Sequence, residues 1–103
     1  MDAPLRKLTL AFPKNIEASI LDVLDAMEPP LQGYSFMTAK GRGPDMQLNA
    51  VSERVQGAGN IVLVKIIVPG DDIGVILETI RIKCGRPNIS YWVEPILDFG
   101  RLQ

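Results

Sequence analysis

At 103 residues the chain is the size of one domain and long enough to bury a real core. Its 47% hydrophobic and 22% charged content is that of an ordinary folded protein, which excludes global disorder. Eleven Lys and Arg against twelve Asp and Glu give a formal net charge of −1, so no overall basic field is available to hold a nucleic acid or an anionic membrane.

Leu5 to Phe12 alternates, with Leu8, Leu10 and Phe12 on one face and Lys7 and Thr9 on the other, the pattern of a half-buried strand ended by Pro13. From Lys14 onward, Ile16, Ile20, Val23, Leu24 and Met27 fall on one stripe of an amphipathic helix, which Pro29 and Pro30 stop. Tyr34 to Lys40 reads as a second strand. Asn60 to Val68 is the strongest strand in the chain, closed by Pro69 and Gly70. Asp71 or Asp72 is placed to cap a second helix through its side chain, with Ile73, Ile76, Leu77 and Ile80 on one face and Gly85 and Pro87 at its end. Ile89 to Glu94 is the last strand, before a tail containing Pro95 and Gly100.

The order strand, helix, strand, strand, helix, strand predicts an α+β ferredoxin-like βαββαβ domain over residues 1–103. In that fold two helices cover one face of a four-stranded antiparallel sheet. The other face has no helix. In "NIVLVKIIV" only Lys65 interrupts the apolar run, so Ile61, Leu63 and Ile67 point to one side and Val62, Val64, Ile66 and Val68 to the other. Both sides are apolar, and a closed homo-oligomer through the open face is the natural remedy. The alternative is a monomer whose long loop folds back over that face. Tyr91 and Trp92 alternate across the last strand, so one is expected to face the helices and the other the oligomer, with core packing the expected role of both.

The chemistry available is limited. Histidine is absent, which excludes Ser-His-Asp and Cys-His relays and removes the commonest transition-metal ligand. The carboxylate pairs Asp71 with Asp72 and Glu17 with Asp22 suit helix starts and a solvated face. "GRGPDM" at 41–46 lacks the third glycine and the following helix of a dinucleotide fingerprint. Cys84, the single cysteine, cannot form an internal disulfide and reads as a small buried hydrophobe. No stretch is apolar for long enough to cross a membrane and the N-terminus lacks a signal core, so a reducing, cytoplasmic setting is expected. No metal site is evident, and the chain is expected not to be an enzyme.

What remains is the long segment "KGRGPDMQLNAVSERVQG" between the second and third strands, too long for a hairpin turn and bracketed by glycines. Arg42 and Arg54 suit bidentate contact with phosphate or carboxylate. Arg86 and Arg101, on other segments, could join the same cleft in an oligomer.

The stretch "LVKIIVPGDDIGVILETI", after a glycine-bounded loop, resembles the PII-like signalling superfamily, related to nitrogen regulatory proteins. "KGRG", "LNAVSERVQG" and the closing "YWVEPILDFGR" look like a small uncharacterised branch ending in Tyr-Trp-Val-x-Pro and Gly-Arg, often encoded beside heavy-metal efflux systems. The resemblance implies a homotrimer whose sheets line a central core. It makes 41–57 the counterpart of the T-loop, which engages a protein partner such as a membrane transporter. It also implies a small-molecule effector, with adenine nucleotides the superfamily's usual choice, bound at the cleft between subunits. Carried onto this chain, Gly41, Arg42, Gly43, Glu53, Arg54 and Gly57 belong to the loop and Arg86 and Arg101 flank the cleft. Two departures stand out. The loop has no tyrosine to be uridylylated, and the Thr-Gly-x-x-Gly-Asp-Gly-Lys turn that holds ATP phosphates is replaced by "GRPN" at 85–88. The alternative within the same superfamily is a metal-responsive or metal-binding trimer similar to the CutA type, with a role in heavy-metal resistance.

Overall fold

The structure is a computed structural model describing residues 3–42, 59–85 and 88–102. Strand β1 spans Leu5–Pro13, helix α1 Glu17–Asp25, β2 Ser35–Gly41, β3 Gly59–Pro69, helix α2 Ile73–Cys84 and β4 Ser90–Pro95. The strands form one sheet in the order β2-β3-β1-β4, and every neighbouring pair is antiparallel. This is the ferredoxin-like arrangement that the order of elements predicts, with β1 and β3 at the centre.

Burial follows alternation. Leu8, Leu10 and Phe12 of β1 stand opposite Ile66, Val64 and Val62 of β3, and all six are at most 1% exposed. They meet Ile20 and Leu24 of α1 and Ile76 and Ile80 of α2 in one core, closed at the end of α1 by Met27. Each such side chain contributes about 1.5–3 kcal/mol through its removal from water. The apolar stripes expected of both helices are the faces that they bury.

The helix starts differ from expectation. Lys14–Ile16 forms a 3-10 turn before α1, and Gly70–Asp72 another before α2. Asp72 occupies the N-cap position of α2 in helical geometry, φ −85° and ψ −15°, and its side chain makes no capping hydrogen bond. A carboxylate caps from extended backbone. Here Pro69 is the last extended residue, and the 3-10 turn has already begun when the aspartates are reached. The C-terminus of α2 is as the sequence predicts: Gly85 adopts the left-handed conformation, φ 62°, which glycine enters without steric penalty.

Strand β4 also departs from expectation. Tyr91 and Trp92 alternate across it as expected, Tyr91 on the helix side opposite Leu10 and Trp92 on the open side opposite Thr9, yet they are 55% and 44% exposed, so neither packs in the core of the single chain. Because β4 is an edge strand, its residues have a cross-strand neighbour on one side only. Cys84 is half-buried against the core, close to the role that its sequence context suggests.

Candidate functional site

The long connection leaves the sheet at a defined corner. Gly41, the last residue of β2, stands opposite Gly59, the first of β3, and Arg42 follows directly. The C-terminal end of β1 and the N-terminal end of β4 lie at this same end of the sheet, since Pro13 pairs with Ile61 and Ala11 with Ser90. Strand β4 therefore begins at the end of the sheet where the loop is rooted.

Of the residues singled out in the sequence, Gly41, Arg42 and Arg101 are described. Gly43, Glu53, Arg54, Gly57 and Arg86 lie outside the described residues. Arg42 follows edge strand β2 at the loop end. Arg101 follows Pro95, which pairs with Arg6 at the far end of the opposite edge strand. The strands that lead to Arg42 and, six residues on, to Arg101 thus end at diagonally opposite corners of one sheet.

Lys14 is a loop-end residue that sequence reasoning overlooked. At the end of β1 its ammonium donates to Glu17 Oε1 at 2.8 Å and to Thr38 Oγ1 of β2 at 3.1 Å, tying the start of the helical segment to the strand that carries the loop. A lysine beside a proline gives no hint of this in sequence. At the opposite end of β2, the Tyr34 hydroxyl donates to Asp25 Oδ1 at 2.5 Å, fastening the end of α1 to the start of the strand. Burial, then the hydrogen bond to Asp25, then the charges of Asp25 and Asp22 push the Tyr34 phenol up to about 12. The strand leading to the loop is therefore anchored at its start and at its midpoint.

The open face is the other candidate. Alternation places Met37 and Ala39 of β2, Ile61, Leu63, Lys65 and Ile67 of β3, Lys7, Thr9 and Ala11 of β1, and Trp92 and Glu94 of β4 on the side without helices. Met37 remains 46% exposed and Trp92 44%. Lys7 and Glu94 form a cross-strand ion pair at 3.4 Å. Apolar residues of this size on a bare sheet mark an interaction surface.

Other features offer less chemistry. A shallow groove of about 350 Å³ between the helices is lined by Asp22, Met27, Thr79 and Lys83 among others. Cys84 Sγ lies 4.0 Å from the Ser19 carbonyl oxygen, and burial pushes its thiol pKa up, which disfavours the thiolate that a metal would need. Among the described residues no three or more Cys, Asp or Glu side chains are grouped to hold a metal, and no helix is long and apolar enough to cross a membrane.

Comparison with known proteins agrees with this architecture. The chain is similar to the crystal structure of a DUF3240 family protein from Shewanella baltica OS155, with TM-score 0.78 and 22% identity over 98% of this chain and 99% of that one. It is also similar to CPII, a nitrogen regulatory PII-like protein from Thiomonas intermedia K12 in a structure bound to ADP, AMP and bicarbonate. That match has TM-score 0.68 and 20% identity over 100% of both chains. A further CPII structure, bound to ADP, AMP and acetate, matches with TM-score 0.68 and 22% identity over 98% of this chain and 93% of that one. No curated protein matches. The fold is that of the PII-like proteins, and the family model for a protein of unknown function, DUF3240, matches residues 3–103. A match across almost the whole sequence means that the chain belongs to the DUF3240 family.

Proposed function

We propose that the protein is a non-enzymatic, PII-like regulatory protein. It assembles through the open faces of its sheets into a homotrimer, binds a small effector at the clefts between subunits, and presents the segment rooted at Gly41 and Gly59 to a partner protein such as a membrane transporter. The observation that carries this reading is the bare sheet face. A face with Met37 and Trp92 half in water and Ile61, Leu63 and Ile67 beside them needs a cover of matching chemistry. A second copy supplies one, and a cyclic arrangement repeats the contact without leaving a face uncovered.

The effector is an adenine nucleotide. Support comes from the end-to-end likeness in fold to CPII, whose structures hold ADP and AMP, and from Arg42 at the root of the loop. A guanidinium there suits bidentate contact with a phosphate. Because β2 and β4 end at opposite corners of one sheet, the trimer would combine Arg42 and Arg101 from neighbouring subunits in one cleft. Effector binding must favour one arrangement of the loop by a few kcal/mol to act as a signal.

Isothermal titration with AMP, ADP and ATP on the intact protein tests the effector. Saturable binding of one nucleotide that weakens at least tenfold in both Arg42→Ala and Arg101→Ala supports the proposal. Absence of binding across the nucleotides, with the protein folded and oligomeric, contradicts it.

A further inference from the structure

The open face is not uniformly apolar. The register places Ser35 opposite Lys65, Lys65 opposite Thr9, and Thr9 opposite Trp92, so these residues form one row across all four strands on the side without helices. On one side of the row lie Met37, Leu63 and Ala11, and on the other Ile67, Lys7 and Glu94. Thr9 is only 1% exposed although neither α1 nor α2 covers this side, and its Oγ1 is a buried polar atom without a hydrogen-bond partner among the described residues. Beside it, Lys65 makes no ion pair among the described residues. The nearest carboxylate on the face, Glu94, already pairs with Lys7.

The row therefore offers a buried Thr9 hydroxyl without a partner, beside an ammonium with no ion pair among the described residues and the exposed Ser35 hydroxyl, in a sheet face otherwise suited to closing against another surface. Covering Lys65 without a counter-charge is strongly unfavourable, and an unpaired buried hydroxyl is already a defect. A small anion with several acceptor oxygens resolves both. We propose that the Ser35–Lys65–Thr9 row is a binding site for a small oxyanion, enclosed when the sheet face is covered, with Trp92 walling its β4 side. The site lies in the middle of the sheet, away from the loop corner at Gly41 and Gly59, and is separate from the nucleotide cleft. The inference rests on the sheet-face assembly put forward above and not on the nucleotide.

The test uses the full chain, freed of oxyanions by dialysis into chloride. It is titrated with sodium sulfate or sodium acetate against sodium chloride at matched ionic strength, following the melting temperature and the sedimentation coefficient. The expected result is a saturable upward shift with sulfate, acetate or both but not with chloride. The two arms distinguish a tetrahedral from a planar occupant. The shift should vanish in Lys65→Met and in a second variant, Lys65→Gln. The midpoint concentration should rise about tenfold in Thr9→Val, as for a lost hydrogen bond to a charged group, and stay near the parent value in Thr9→Ser. An assembled protein that responds equally to all three salts overturns the site, as does a saturable response that persists in both Lys65 variants. A protein that sediments as a monomer throughout overturns the assembly and the site together, whereas an indifferent trimer overturns only the site.

Discussion

Gly41 stands directly across from Gly59, so the antiparallel pairing of β2 and β3 runs to the point where the long connection begins and resumes where it ends. The fold does not need the intervening chain to bring these strands together. Replacing 42–58 with an Asn-Gly turn should leave the chain cooperatively folded and raise stability by roughly 1–2 kcal/mol, because a shorter loop loses less entropy on closing. Denaturant unfolding measures this. The same variant should lose partner binding, which separates the scaffold from the arm it carries.

The two faces of β3 should respond differently to truncation. Ile66 is fully buried beneath the helices, so Ile66→Ala should cost about 2–5 kcal/mol in chemical denaturation. Leu63 is only half-buried in the single chain and lies on the open face. Leu63→Asp should leave a folded chain that no longer associates, seen as a drop in molar mass by light scattering.

The Tyr34–Asp25 bond gives a pH signature. Burial first, and the hydrogen bond to Asp25 second, hold the phenol at about 12, above its ordinary 10.0. The folded chain therefore keeps this proton more tightly than the unfolded chain does. The resulting stabilisation is complete below pH 10 and is lost as pH rises through about 12. Because Tyr34 is partly exposed, solvent screening limits the contribution to about 1 kcal/mol. Tyr34→Phe should remove it and flatten that part of the stability profile. A phenylalanine variant whose alkaline unfolding matches the parent would show that the bond contributes nothing.

Cys84 should behave as a structural thiol. Its pKa is pushed up by burial, so at neutral pH its alkylation by iodoacetamide should be slower than that of an unfolded control. Zinc or copper titrations should give the same stoichiometry with Cys84→Ala as with the parent. A stoichiometric site abolished by that substitution would instead favour the metal-responsive alternative.

Much of this fold is legible in the sequence because its signals agree with one another. The alternation of Leu8, Leu10 and Phe12, the helical stripe from Ile20 to Met27 and the closing Gly85 all predict the roles that the structure gives them. Local signals fail where the outcome depends on position in the sheet. Tyr91 and Trp92 read as core aromatics, but their strand lies at an edge and leaves both exposed. The aspartates before α2 read as side-chain caps, but an intervening 3-10 turn changes their backbone. Thr9 and Lys65 look like ordinary polar interruptions, and only the register of β1 against β3 sets them side by side.

The most direct test of the central claim is sedimentation equilibrium of the purified protein with and without ADP, run beside Trp92→Asp. The parent should have three times the 11.3 kDa mass of the chain, should be stabilised by the nucleotide, and should dissociate to folded monomers when a charge is placed at Trp92 on the open face. A parent protein that is monomeric at every concentration would contradict sheet-face assembly, and with it the intersubunit site and the regulatory reading built on it.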